Sequence, residues 1–228
     1  THMKPTPEKQ NGRKRILIVD DHPLLRDGLA KVLNQQTDLM ACGEAGDARG
    51  ALAAIGRCRP DAVIVDLTME NGNGLDLIKD LHALDPGLPM LVLSMHHENL
   101  YAERAIRAGA KGYVMKREPV GVVLEGLRKV LEGHLALSEN MVCRMLSQPK
   151  RAREAGEGAP ADLLSDRELD VFRLLGEGLG TRQIAAKLHV ATSTVETHRA
   201  GIKQKLGLDS ATELVARAAQ FVRDEQDR

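Results

Sequence analysis

Aromatic side chains are almost absent from this chain: no Trp, two Tyr (Tyr101 and Tyr113) and two Phe (Phe172 and Phe221) in 228 residues. Its cores must therefore be built from Leu, Val, Ile, Ala and Met. Cysteine is nearly as scarce. Cys42, Cys58 and Cys143 are odd in number and far apart, which excludes a CxxC metal or redox site and a disulfide framework. A reducing cytoplasm is the expected location. There is no excess of charge of either sign, with 32 basic and 32 acidic residues, so any affinity for an anionic partner must be local. No apolar run approaches the ~18–20 residues of a membrane span, and no membrane contact is expected. The polar N-terminus shows no signal peptide. Thr1-His2-Met3 reads as a cloning remnant, and residues up to about Lys14 as a charged leader outside the fold.

What is present falls into two patterns. Over residues 15–133, short apolar runs alternate with helical periodicity. RILIVD (15–20), Leu39–Ala45, AVIV (62–65), MLVLS (90–94) and GYVM (112–115) read as strands. The intervening segments read as helices, with Pro23 in the first turn of one and Asp47 capping the next. Five strands alternating with five helices predict an α/β doubly wound, five-stranded parallel sheet. Residues 138–148 have the pattern of a short further helix, and PKRAREAGEGAPAD (149–162) that of a flexible linker. Beyond it the pattern is helical only, which predicts a second, smaller all-α domain. It opens with Ser165 and Glu168 at capping-box spacing. The expected boundaries are 14–136 for the first domain, 137–161 for the linker and 162–224 for the second domain.

Open parallel sheets bind ligands outside the strand C-termini. There the first domain places Asp20, Asp21, Asp66, Ser94 and Lys116. A lone strand-end Asp is usually a helix cap or a loop residue. Five such groups at the ends of four strands point instead to one pocket. Like charges this close need a cation, and an all-oxygen, partly hydrated donor set suits Mg²⁺. With its charge balanced, Asp66 can act as a nucleophile toward a phosphoryl donor. Lys116 would then neutralise the transferring group, and Ser94 would hydrogen-bond to it. The adjacent His96 and His97 read as loop residues.

Residues 181–206 have the pattern of two helices around a short turn, a helix-turn-helix. This stretch carries five basic residues and one acidic one, Glu196. Arg182, Lys187, Arg199, Lys203 and Lys205 are placed to reach phosphates, and Ser193, Thr194, Glu196, Thr197 and Ala200 to meet base edges. Charge and spacing alone leave open a plain helical bundle with a solvated charged face.

Taken together, ILIVDDHPLLRDGL, VIVDLTMENGNGLDLI, VLSMH and GAKGYVMK resemble the receiver domain of two-component response regulators over about residues 14–133. That resemblance implies a flavodoxin-like fold in which Asp66 is the phospho-acceptor. Asp20 and Asp21 would hold Mg²⁺ with Asp66 and the Thr68 backbone carbonyl. Ser94 and Tyr113 would be the switch pair, Ser94 pulled inward on phosphorylation and Tyr113 rotating behind it, and Lys116 the phosphoryl-binding lysine. It also implies that His96 influences phosphoryl lifetime, and that the donor is a sensor histidine kinase or a small phospho-donor such as acetyl phosphate. Glu70 stands where the family usually has Pro.

From LSDRELDV to KLGLDSATELVARA, the second domain resembles the LuxR or NarL/FixJ type of DNA-binding domain. Thr192–Leu206 would be the recognition helix, and Leu214, Val215 and Ala218 a dimer surface. Gly180-Thr181-Arg182-Gln183 departs from the usual Ser-Asn-Lys-Glu, and Gly201 from a frequent Asn. The implied function is a phosphorylation-controlled transcription regulator that binds double-stranded DNA and dimerises on phosphorylation. It would not be an enzyme beyond taking and losing its own phosphoryl group. A phosphate sink or a protein-binding adaptor is the alternative.

Overall fold

In the computed structural model, residues 12–69, 72–147 and 160–226 are described. The first half alternates as expected. β1 (Lys14–Val19), α1 (Pro23–Asn34), β2 (Leu39–Ala45), α2 (Ala48–Cys58) and β3 (Ala62–Val65) come first. After a small hairpin of β4 (Thr68–Met69) and β5 (Gly72–Asn73) follow α3 (Gly74–Leu84), β6 (Met90–Ser94), α4 (Glu98–Ala108), β7 (Gly112–Met115) and α5 (Val120–Leu131). Five strands form one sheet in the order β2-β1-β3-β6-β7, every pairing parallel. The strands are buried on both faces because side chains alternate. Ile16, Ile18, Ile64, Leu91 and Leu93 face α1 and α5, while Leu17, Val19, Val63, Val65 and Val92 face α2, α3 and α4. The order reverses between β1 and β3, so the ends of those two strands flank the crevice where a doubly wound sheet binds ligands.

The β4–β5 hairpin was not expected from the pattern, and Glu70 lies between its strands, outside the described residues. It turns the chain sharply back. A Cβ on Gly74 would lie 2.2 Å from the Asp66 carbonyl oxygen, so only glycine lets α3 start this close to the loop after β3.

Past α5 the chain runs beside β7. Tyr113 N donates to Ala136 O at 2.8 Å and Ala136 N to Lys111 O at 2.9 Å, so residue 136 pairs with an otherwise open sheet edge. The helix expected over 138–148 is α6 (Glu139–Ser147), started by Ser138 Oγ, which accepts from Met141 N. Of the expected linker, residues 148–159 lie outside the described residues. At its end Pro160–Leu163 forms a helical turn, α7.

The second half consists of α8 (Asp166–Gly176), α9 (Thr181–Lys187), α10 (Thr192–Leu206) and α11 (Ala211–Gln226). The capping box forms, with Ser165 N donating to Glu168 Oε2 at 2.7 Å and Glu168 N to Ser165 Oγ at 3.4 Å. Leu169, Phe172, Leu175, Ile184, Val195 and Ile202 fill the core. Leu214 and Ala218, expected on a dimer surface, are fully buried in it, because α11 closes the bundle against α8. Of the three residues in that expectation only Val215 is exposed.

The α8–α11 contact depends on Gly176. A Cβ there would meet Ala218 O at 2.3 Å and Val222 Cγ2 at 2.6 Å. Gly176→Ala is predicted to push α11 away and cost about 1–3 kcal/mol, as overpacking does. Calorimetry should show a lower Tm for the unfolding of this half.

Candidate functional site

The strand ends bring three of the five predicted groups into direct contact. Lys116 Nζ lies 2.6 Å from Asp66 Oδ2 and 2.7 Å from Asp20 Oδ2, all three side chains nearly inaccessible. Asp66 is held by the neighbouring strand β1 on one side, its N–H donating to Val19 O, and by Thr68 N, which donates to Asp66 Oδ1 at 3.1 Å. Asp21 turns to His22, whose Nδ1 is 2.7 Å from Asp21 Oδ1 and 3.1 Å from Asp20 Oδ1. Ligand atoms of Asp20, Asp21, His22 and Asp66 all lie within 4.8 Å of one another.

The electrostatics of this cluster are unbalanced. Burial pushes the Asp66 carboxyl up to about 6, with Asp20 adding to the rise and Lys116 resisting it. Burial works against the Lys116 ammonium, but Asp66 and Asp20 together hold it above the usual lysine range. One cation is thus shared by two buried carboxylates with a third alongside. The excess negative charge and the three carboxylates fit a hard divalent cation such as Mg²⁺.

Ser94 and Tyr113 are buried beside the pocket. Ser94 Oγ accepts from His96 N at 3.2 Å, and Tyr113 Oη donates to His96 O at 2.8 Å. Tyr113, expected to rotate behind Ser94 on phosphorylation, is buried here with its hydroxyl on the His96 carbonyl. His96 was read as a loop residue, yet it joins more elements than any predicted site residue. Its Nε2 is 2.8 Å from Thr68 Oγ1, its ring stacks on Tyr101 at 4.6 Å, and its Nδ1 meets the Arg173 guanidinium of α8. Burial first, then the charges of Arg173, Lys116 and Lys187, depress its pKa to about 3, so it stays neutral.

Arg173 belongs to a seam between the two halves that sequence reading did not find. Tyr101 Oη donates to Asp170 Oδ1 at 3.0 Å and Asn73 Nδ2 to Asp170 Oδ2 at 3.2 Å. Asp166 takes Arg104 at 2.6 Å and Lys79 at 3.0 Å, and Arg104 also donates to Leu164 O. Asp166, Asp170 and Arg173 are spaced i, i+4, i+7 along α8, so they share one face. A charged stripe of that kind ordinarily meets water, which hid its role. The only hint was Asp170 beside the apolar Leu169 and Phe172.

The seam leaves the expected DNA surface open. Ser193, Thr194, Glu196, Thr197 and Ala200 on α10 are all exposed, as is Arg182. Arg199 Nη1 donates to Thr181 Oγ1 at 2.6 Å and lies 3.4 Å from Glu196, tying α9 to α10. Lys203 is half-buried. Lys205, predicted to reach phosphate, instead pairs with Glu168 at 2.5 Å, because Glu168 is buried and needs a cation. Gly201 has its explanation in the same place: a Cβ would lie 2.8 Å from Glu168 Oε1. Glycine therefore serves packing onto α8.

The chain is similar to known proteins. The family model "Response regulator receiver domain" matches residues 16–128, and "Bacterial regulatory proteins, luxR family" matches 162–218. The oxygen regulatory protein NreC of Staphylococcus epidermidis is 33% identical over 206 residues, covering 88% of this chain and 94% of that protein. Among solved structures, RcsB from Salmonella enterica serovar Typhimurium, bound to promoter rprA in the presence of phosphomimetic BeF3-, is 25% identical. It covers 91% of this chain and 98% of that one, with a TM-score of 0.62. A LuxR-family two-component response regulator from Aurantimonas sp. SI85-9A1 is 28% identical, covering 59% of this chain and 96% of that one, with a TM-score of 0.55.

The seam has a titratable centre. Burial pushes the Asp170 carboxyl up to about 6, against its hydrogen bond to Tyr101 and the charges of Arg167 and Arg173. A carboxyl whose pKa is raised by docking favours the docked state while protonated and opposes it as pH rises through about 6. Asp170→Asn is therefore predicted to dock more tightly than the parent at pH 7.5. The difference should shrink between pH 6 and 4. Hydrogen exchange of α8 in both proteins across that range measures it, and His96 contributes equally to both.

Proposed function

This chain belongs to the response regulators whose output domain is of the LuxR type, and from that premise we propose how its residues divide the work. It is a phosphorylation-controlled, DNA-binding transcription regulator. We assign residues 14–136 to the receiver, 137–161 to the linker and 162–224 to the DNA-binding domain. The reading rests above all on the Lys116 ammonium lying between Asp20 and Asp66.

Asp66 is the phospho-acceptor. Its carboxylate oxygen attacks phosphorus, the P–N bond of a kinase phosphohistidine breaks, and imidazole leaves. Asp20, Asp21, Asp66 and the Thr68 carbonyl would hold Mg²⁺, which when bound supplies charge neutralisation for the phosphoryl oxygens. Lys116 follows the charge onto the phosphoryl group. Ser94 donates to a phosphoryl oxygen and in doing so leaves His96 N. His96 holds Tyr113 through its carbonyl and Arg173 through its ring, so that departure loosens both. Phosphorylation thereby weakens the seam and frees the DNA-binding half.

The DNA-binding half reads base edges with the exposed face of Thr192–Leu206, while Arg182, Arg199 and Lys203 take phosphates. A single copy presents one such helix, and a dimer on a two-fold site presents two. Because the reading face is already exposed in the docked form, control acts on the placement and pairing of this half, and not by covering the helix. Val215 is the exposed apolar residue available to that pairing.

Two outcomes are expected. With Mg²⁺ and beryllofluoride, the protein should shift from monomer to dimer in sedimentation and bind DNA at least tenfold more tightly in gel shifts; Asp66→Asn should do neither. In salt titrations of DNA binding, Arg182→Ala should reduce the slope by about 1, the value of one phosphate contact. Lys205→Ala should leave the slope unchanged and lower the Tm instead, since its ammonium serves Glu168.

A further inference from the structure

His22 occupies the N-cap of α1, a position that ordinarily goes to Ser, Thr, Asp or Asn, whose side chains accept from the first turn. Its ring makes no such bond. The local chain turns it toward the strand-end carboxylates instead. His22 N donates to Asp20 Oδ1 at 2.8 Å, closing a tight Asx-type turn. Pro23 keeps His22 out of the helical region, at φ −88° and ψ 103°. Nδ1 then lies 2.7 Å from Asp21 Oδ1 and 3.1 Å from Asp20 Oδ1. Most of the side chain is exposed, yet it lines the same crevice as Asp66 and Lys116.

These separations are those of ligands around one ion. Donor atoms about 2.1 Å from a six-coordinate cation stand about 3 Å apart along its edges and about 4 Å apart across it. The two distances from Nδ1 straddle the edge value. Ligand atoms of Asp20, Asp21, His22 and Asp66 all lie within 4.8 Å of one another, little more than the span across such an ion. As the Nδ1–H tautomer the ring donates to the carboxylates, and as the Nε2–H tautomer it offers the Nδ1 lone pair to a cation. Exposure of the ring lets water exchange the two. What an imidazole changes is the choice of ion. Carboxylates and water suit Mg²⁺, whereas imidazole suits the later first-row transition ions. We propose that His22 is a fourth side-chain ligand of the pocket and biases it from Mg²⁺ toward transition ions such as Co²⁺, Ni²⁺ and Zn²⁺. This inference rests on the reading that the strand-end carboxylates hold a divalent cation.

The test titrates the full chain with Mg²⁺ and with Co²⁺ by calorimetry, the visible spectrum of Co²⁺ reporting nitrogen ligation. Only Co²⁺ that excess Mg²⁺ displaces is counted as bound in the pocket. His22→Ala is expected to weaken Co²⁺ at least about tenfold, since loss of a group that merely supports a metal's ligands already does so. Mg²⁺ binding should change less than about twofold, because that ion gains little from a nitrogen donor. His22→Asn supplies a capping side chain without an imidazole and is expected to match His22→Ala in both titrations, with the Co²⁺ bands shifted in each. Thermal melts check that each variant is folded. Equal weakening of both ions in His22→Ala overturns the inference, since His22 would then only orient the carboxylates. Unchanged Co²⁺ binding or an unchanged Co²⁺ spectrum overturns it as well, and so does full recovery in His22→Asn. If the parent binds neither ion, or Asp21→Asn binds both as the parent does, the reading of the carboxylates as a cation site fails instead.

Discussion

Two buried carboxylates and one ammonium at the ends of β1, β3 and β7 are the constraint on which the rest of this structure depends. Separately, each would be costly to bury. Together they leave surplus negative charge, which suits a divalent cation. The sheet order makes the meeting possible. Reversal of the chain path between β1 and β3 sets Asp20 and Asp66 on neighbouring strands, and β7 reaches across with Lys116. Gly74 then allows the chain to fold back against the loop that carries Asp66.

From that cluster outward, the couplings run through short polar contacts. Ser94 touches the His96 amide, His96 touches Thr68, Tyr113 and Arg173, and Tyr101 beneath it touches Asp170. The polar anchors of this seam are ion pairs and hydrogen bonds of modest net value. The apolar part is not negligible, because Leu164, Leu169 and Leu174 belong to the same continuous cluster as α3 and α4.

Much of this was legible beforehand. The five strands are nearly unbroken apolar runs, a pattern that doubly covered parallel strands require. Strand ends followed directly from those runs, and with them Asp20, Asp66, Ser94 and Lys116. The Ser165–Glu168 box and the Asp47 cap are local geometry and formed as read, Asp47 Oδ1 accepting from Gly50 N at 2.6 Å. Less legible were features that depend on which face of a helix meets which neighbour. Leu214 and Ala218 lie on the face of α11 that α8 covers. Lys205 and Gly201 both answer to one buried glutamate on another helix.

What the order of residues determined alone was the set of elements, their alternation, and the chemistry gathered at the strand ends, because hydrophobic period and turn residues act over a few positions. Tertiary structure decided the burial of Tyr113, the contacts of His96 and which face of α10 is exposed. It also turned the charged stripe of α8 into a contact surface. The physical reason is common to these cases: a polar side chain has the same pattern in sequence whether its partner is water or a group 70 residues away, and only the folded chain supplies that partner.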